Sequence, residues 1–216
     1  LNKNDNKFIA FGGESLQMFE LKDGKLKITD VNMGEENPRK VNCVIIDEDD
    51  EYFYAGSEAG DILVVHCKTM MVKSVGPAHP FEFPIWSMTK IDRELLIGTK
   101  DGIIILARLS SSGFDRKAPD EIVHLNVPIT SLAVPPGRAN LLCVGTLDNT
   151  FYQYLNLGEK LKQQRTFHHG KINSITFPLT SSDVFITASK HEMRVWETSQ
   201  TKLMHCISFP NAFCNI

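Results

Sequence analysis

Leu141-Leu-Cys-Val-Gly-Thr146 is one copy of a short apolar run that closes on a small residue and its neighbour. Its counterparts along the chain are Phe8-Ile-Ala-Phe-Gly12, Tyr52-Phe-Tyr-Ala-Gly-Ser57, Leu95-Leu-Ile-Gly-Thr99 and Val184-Phe-Ile-Thr-Ala-Ser189. With Gly12, Gly56, Gly98, Gly145 and Ala188 as register marks, the spacings are 44, 42, 47 and 43 residues. A period of about 43 residues says that the 216 residues repeat one supersecondary unit, which alone cannot bury its apolar faces.

Each complete mark is followed by a turn and a second apolar run: Glu58-Ala-Gly-Asp61 before Ile62 to Val65, Lys100-Asp-Gly102 before Ile103 to Leu106, and Leu147-Asp-Asn149 before Phe151 to Tyr154. Asp-Gly and Asp-Asn supply the positive φ angles of tight hairpin turns, and the flanks are rich in β-branched and aromatic residues. A further alternating run precedes each hairpin (Val41 to Ile45, Ile85 to Met88, Ile129 to Ala133, Ile172 to Phe177), and a more polar one follows it. Apolar residues keep a helical spacing nowhere over three turns. Four strands per unit, the last the most polar, describe an all-β propeller blade whose outer strand faces solvent. The expected divisions are a partial blade over residues 1–40 (second to fourth strands), blades over 41–84, 85–128 with a longer outer loop, 129–171 and 172–211, and the start of another over 212–216. Such a chain, four complete blades and two partial ends, is expected to be a slice of something longer.

The unit from His168 to Ser208 carries the clearest family signature: His168-His-Gly-Lys-Ile172-Asn-Ser-Ile-Thr-Phe-Pro178, then Ala188-Ser189, then Met193-Arg-Val-Trp196-Glu197. It resembles a WD40 repeat, and the resemblance implies a buried hydrogen-bond chain of His168, Ser189 and Trp196, with His191 where the family has an acid. The other units carry Val65, Leu106 and Tyr154 at the Trp position, with Asp101 and Asp148 on the usual acid position. The order Asp47 to Ser57, Gly60-Asp-Ile-Leu63, Ile103-Ile-Ile-Leu106, Val184 to Ser189 and Arg194-Val-Trp196 is similar to the middle of the cilia- and flagella-associated protein fifty-two family. That resemblance implies parts of two tandem WD40 propellers, a place in the lumen of ciliary doublet microtubules in the axoneme, and tubulin and neighbouring microtubule inner proteins as partners.

Composition sets the outer bounds. Of the residues 42% are hydrophobic and 23% charged, enough apolar surface to fold, and a net charge of -3 gives no field that draws nucleic acid or anionic lipid. Neither a nucleic acid nor a membrane is an expected partner. Five cysteines without a C-x-x-C pair fit a reducing, cytoplasmic compartment. The longest apolar stretch, Ile103 to Ala107, is too short to cross a bilayer.

No residues are expected to act in catalysis, to hold a metal or to bind a cofactor. The acidic run Asp47 to Glu51 has Tyr52 where a calcium loop needs glycine, and belongs to a turn before a repeat strand. His66-Cys67 and His205-Cys206 are neighbours on strands, so each pair points to opposite faces and cannot chelate one ion. Gly13-Glu-Ser15-Leu-Gln17 fails as a nucleophile elbow at its last position. Lys160, Lys162, Arg165 and Lys171 are the densest basic group; they read first as a solvated face, with an acidic partner as the sharper alternative, and with Phe167 the lone interleaved aromatic they suit nucleic acid less. The expected function is a non-catalytic protein-binding scaffold. The alternatives are a WD40 adaptor of the ubiquitin-ligase or chromatin type and, third, a propeller enzyme with its site in the axial channel.

Overall fold

A computed structural model describes residues 1–34, 38–77, 81–91, 94–110, 113–114, 120–156, 159–165, 168, 170–179 and 181–209. Among them every regular element is a strand. The first sheet is a meander of β1 (Lys7–Gly12), β2 (Ser15–Lys22) and β3 (Lys25–Asp30). The second runs in order β4 (Val41–Ile46), β5 (Tyr52–Ser57), β6 (Ile62–His66) and β7 (Met71–Gly76). The third holds β8 (Ile85–Ile91), β9 (Glu94–Thr99) and β10 (Ile103–Ser110), with β11 (Gly113–Phe114) and β12 (Asp120–His124) both paired to β10. The fourth is β13 (Ile129–Ala133), β14 (Leu141–Thr146), β15 (Thr150–Leu155) and β16 (Glu159–Arg165), and the fifth β17 (Ile172–Thr176), β18 (Val184–Ser189), β19 (Glu192–Glu197) and β20 (Lys202–Ser208). Within these four-stranded sheets neighbours in sequence pair antiparallel, which short turns permit. The expected strand over 212–216 lies outside the described residues.

The chain divides into two compact units, residues 1–95 with 107–119 and residues 96–106 with 120–216. In the first unit, Leu16 and Met18 on one face of β2 pack against Phe53, Ala55, Leu63 and Val65 of the second sheet. Phe53 pairs with Val65 and Ala55 with Leu63, so these four share a face, as strand alternation requires. The opposite face of β5 carries Tyr54 and Gly56 and looks toward β8. A Cβ at Gly56 would stand 2.6 Å from Ile85 Cγ2 and 2.9 Å from Cys43 Sγ, so the sheets touch where the side chain is missing. Asn42 Nδ2 ties them further, donating to Ile85 O at 3.0 Å and to Glu58 Oε2 at 2.8 Å.

The second unit repeats this arrangement. Cys143, Phe151 and Ala133 of the fourth sheet share a core with Ile172, Ile175, Phe177, Phe185 and Trp196 of the fifth. A Cβ at Gly145 would meet Ser131 Oγ at 2.5 Å, Ile175 Cδ1 at 2.9 Å and Ile172 Cγ2 at 3.3 Å. The register marks at residues 56 and 145 are thus small because the next sheet, together with the cross-strand neighbours Cys43 and Ser131, occupies the space. Gly12, which opens the series, has nothing within 4 Å.

Gly145→Val is expected to lower stability by about 1 to 3 kcal/mol through overpacking, and Gly145→Ala by less. Gly12→Ala should be neutral or slightly stabilising. Urea midpoints of the three variants check this, and equal midpoints would mean that the seam is not tightly packed.

Candidate functional site

The seam between the fourth and fifth sheets is lined by one face of β18 and β19: Phe185, Thr187 and Ser189, and across the hairpin Trp196, Arg194 and Glu192. Phe151, Phe185 and Trp196 stack through it, with centroids 4.7 and 6.1 Å apart and planes within 14° and 10° of parallel. Trp196 Nε1 donates to Thr187 Oγ1 at 2.7 Å, and His168 Nε2 lies 2.7 Å from the same oxygen. One hydroxyl with two lone pairs and a proton can satisfy both partners. His168, Thr187 and Trp196 are at most 5% exposed, so the indole and imidazole nitrogens are held by protein groups rather than bulk water.

The hydroxyl of this chain is therefore Thr187 and not the expected Ser189. Both residues point into the seam, being two apart on a strand, but Ser189 stands at the strand's end and bonds Glu192 O at 3.4 Å. The same duty falls to the hydroxyl after each of the register marks that follow Gly12. Ser57 Oγ donates to Asp61 Oδ1, Thr99 Oγ1 to Ile103 O at 3.2 Å, and Thr146 Oγ1 to Thr150 O at 2.8 Å. Ser57, Thr99, Thr146 and Ser189 clasp hairpin turns.

The acid is also displaced from expectation. His191 is exposed, whereas Glu192 is 3% exposed and places Oε1 3.9 Å from His168 Nδ1. Arg194 reaches Glu192 Oε2 with Nε at 2.9 Å and Nη2 at 2.8 Å, and Cys206 Sγ donates to it at 3.5 Å. A buried carboxylate needs such a partner, since removing an ion from water without one costs several kcal/mol. Glu192 escapes a sequence count because this hairpin turn is one residue shorter than its counterparts. Ala188 pairs with Met193, whereas Gly56 pairs with Ile62 and Gly145 with Phe151. By that register Glu192 matches Asp61, which is 3% exposed and receives Arg39 Nε at 2.8 Å. Asp148 has a third role: it accepts from Thr146 Oγ1 at 2.6 Å and Thr150 N at 3.2 Å, while Asp101 is exposed.

The remaining polar residues are placed plainly. In the acidic turn, Asp47 pairs with Lys90, Asp49 with Lys3 at 3.0 Å, and Asp50 accepts from the backbone N of Asn2 and Lys3 at 2.8 and 2.6 Å. The carboxylates of Asp47, Asp49 and Asp50 thus face chain partners. No group of three or more His, Cys, Asp or Glu side chains placed to hold a metal occurs among the described residues. Burial pushes the Cys43 and Cys143 thiols up to about 12 and Cys67 up to about 11, so they stay protonated at neutral pH and are poor nucleophiles. The side chains of Lys160, Lys162 and Arg165, and most of the loop from Ser110 to Asp120, lie outside the described residues. At the surface, Phe8, Leu21, Leu26 and Ile28 share one face of the first sheet and are half exposed, with Phe8 stacked on Phe19 at 5.1 Å.

No family model matches the chain. It is 28% identical over 215 residues to cilia- and flagella-associated protein 52 of Homo sapiens, covering 98% of this chain and 34% of that protein. The protein of the same name from Chlamydomonas reinhardtii is 26% identical over 217 residues, covering 99% of this chain and 34% of its own. The chain therefore resembles that protein over nearly all its length and spans about a third of the length of these curated relatives. Among solved structures, the WD40 β-propeller domain of Doa1 superposes with a TM-score of 0.74 at 14% identity, over 97% of this chain and 68% of that one. A chain of the mitotic checkpoint complex gives 0.76 at 11%, over 97% and 64%. The fold is that of a WD40-type β-propeller.

Thr187→Val should lower stability by about 1 to 3 kcal/mol, since it leaves the buried Trp196 N–H without its acceptor, and Thr187→Ser should restore most of the loss. Urea unfolding followed by tryptophan fluorescence checks this. The second expectation concerns acid. Burial alone would raise the Asp148 carboxyl, but hydrogen bonds from Thr146 and Thr150 outweigh it and hold it below the usual carboxylate range. Its contribution is complete above the unfolded value of about 3.9 and is lost as pH falls through the lower folded one. Asp148→Asn should therefore flatten the stability profile in that window, and a profile identical to the parent would contradict the assignment.

Proposed function

We propose that the chain is part of a non-catalytic protein-binding scaffold of cilia and flagella. The observation that carries this reading is its likeness, over 98% of its length, to cilia- and flagella-associated protein 52. The geometry supports it. The polar groups around Trp196 and Glu192 engage one another and the thiols of Cys43, Cys67 and Cys143 are held protonated, so these groups serve as structure and not as reacting centres. Stacked sheets with such pins present a rigid surface, and a rigid surface loses little entropy on docking. By its resemblance the whole protein acts as a microtubule inner protein, binding tubulin and neighbouring lumenal proteins and so stabilising doublet microtubules of the axoneme.

The test is localisation of the tagged full-length protein in a ciliated cell, with extraction of its axonemes. The expected result is signal along the axoneme that stays with the doublets after detergent and high salt. A diffuse nuclear or cytoplasmic signal in a ciliated cell would overturn the proposal.

A further inference from the structure

The acidic turn from Asp47 to Glu51, between β4 and β5, holds partners on two sides. On one side Asp47 pairs with Lys90 of β8, and these side chains are only 21% and 15% exposed. On the other side lie residues 1–3. Asp50 receives the backbone N–H of Asn2 on one carboxylate oxygen and that of Lys3 on the other, at 2.8 and 2.6 Å. Asn2 Nδ2 donates to Asp47 O at 2.8 Å, and Lys3 Nζ stands 3.0 Å from Asp49 Oδ1.

These contacts hold down an apolar residue. Leu1 is half-buried and packs against the core cluster that contains Cys67 and Met70, which are 4% and 3% exposed. Cys67 N in turn donates to Glu51 O at 2.9 Å, so residues 1–3, the acidic turn and the cluster around this thiol meet at one end of the first unit. A short turn joins residues 1–3 to β1: Asn6 N donates to Asn4 Oδ1 at 3.0 Å, Lys7 N donates to Asn4 O at 3.1 Å, and Asn6 O accepts from Leu21 N at 2.8 Å.

We propose that residues 1–3 are a charge-held strap, clasped by Asp47, Asp49 and Asp50, whose opening gives access to the core at Cys67. The two sides of the turn hold with different firmness. Lys3 and Asp49 are 61% and 81% exposed and the other strap bonds lie at the surface, so salt screens the charges and water competes for the bonds. The Asp47–Lys90 pair is partly buried and is screened much less. The strap therefore opens before the turn leaves β8, a local event that costs far less than unfolding. Burial keeps the Cys67 thiol covered and protonated, so it reacts in the opened state. The strap rests on contacts within the first unit and not on the ciliary reading, so either can fail alone.

The experiment is N-ethylmaleimide labelling of the native chain, with the modified cysteines resolved by peptide mass spectrometry. Cys143, fully buried in the second unit, monitors unfolding. Raising KCl from about 50 to about 500 mM should speed labelling of Cys67 about twofold, and Lys3→Glu about fivefold, with the Cys143 rate unchanged. Lys3→Glu separates opening from a direct effect on the thiol, because an anion in place of a cation disfavours the thiolate and by itself slows labelling. Asp50→Ala removes the acceptor of two backbone N–H groups and should speed Cys67 labelling about tenfold. Cys67 and Cys143 accelerating together would overturn the proposal, as would a Cys67 rate that Lys3→Glu slows or leaves unchanged.

Discussion

Close approach of one sheet to the next is the constraint on which the rest of this structure depends. A β-sheet with apolar residues on both faces must be covered on both, and stacked sheets sit about 10 Å apart when side chains interdigitate. Where a register mark faces the next sheet's first strand, even one methyl does not fit: Ile85 fills the space at Gly56, and Ile172 and Ile175 fill it at Gly145. The small residues are therefore the imprint of a neighbour, and their spacing reports the spacing of the sheets themselves.

That is why the fold was legible along the chain while the polar chain in the seam was only partly so. Period, turn chemistry and strand alternation are local, and each of Gly56, Gly145 and Ala188 carries them in the residues beside it. His168 and Trp196 were likewise legible, and both engage one hydroxyl. Thr187 and Glu192 were not. Two hydroxyls two residues apart lie on one strand face, and only the path of the turn decides that Ser189 serves the hairpin and Thr187 the indole. Glu192 depended on a turn shortened by one residue, a matter of pairing that composition does not record. The first mark misled for the complementary reason: Gly12 has the right neighbours in sequence but no sheet pressing on it.

The hydroxyl after Gly56, Gly98, Gly145 and Ala188 gives these repeats a second common device. A side-chain oxygen that accepts or donates within the turn does the work of a backbone hydrogen bond where the ladder ends. Ser57, Thr99, Thr146 and Ser189 all do this, though their acids differ: Asp61 stands beside Arg39, Asp148 stays at the surface, and Glu192 is held by Arg194. Divergence among the repeats is thus concentrated in how a buried charge is matched. Sheet spacing tolerates far less variation.

The two ends of the seam between the fourth and fifth sheets differ in the same currency of polar satisfaction. At the His168 end, indole, hydroxyl, carboxylate and guanidinium meet one another, and nothing there calls for an outside group. At the Arg138 end, among the described residues, the buried Thr198 hydroxyl has no hydrogen-bond partner and the buried Gln153 amide has the Cys143 sulfur at 4.0 Å. Both ends share the Phe151, Phe185 and Trp196 stack between them, so the first end fixes the geometry of the second. A seam held this way keeps its shape whether or not a partner is docked on it, so the surface it presents loses little entropy on binding.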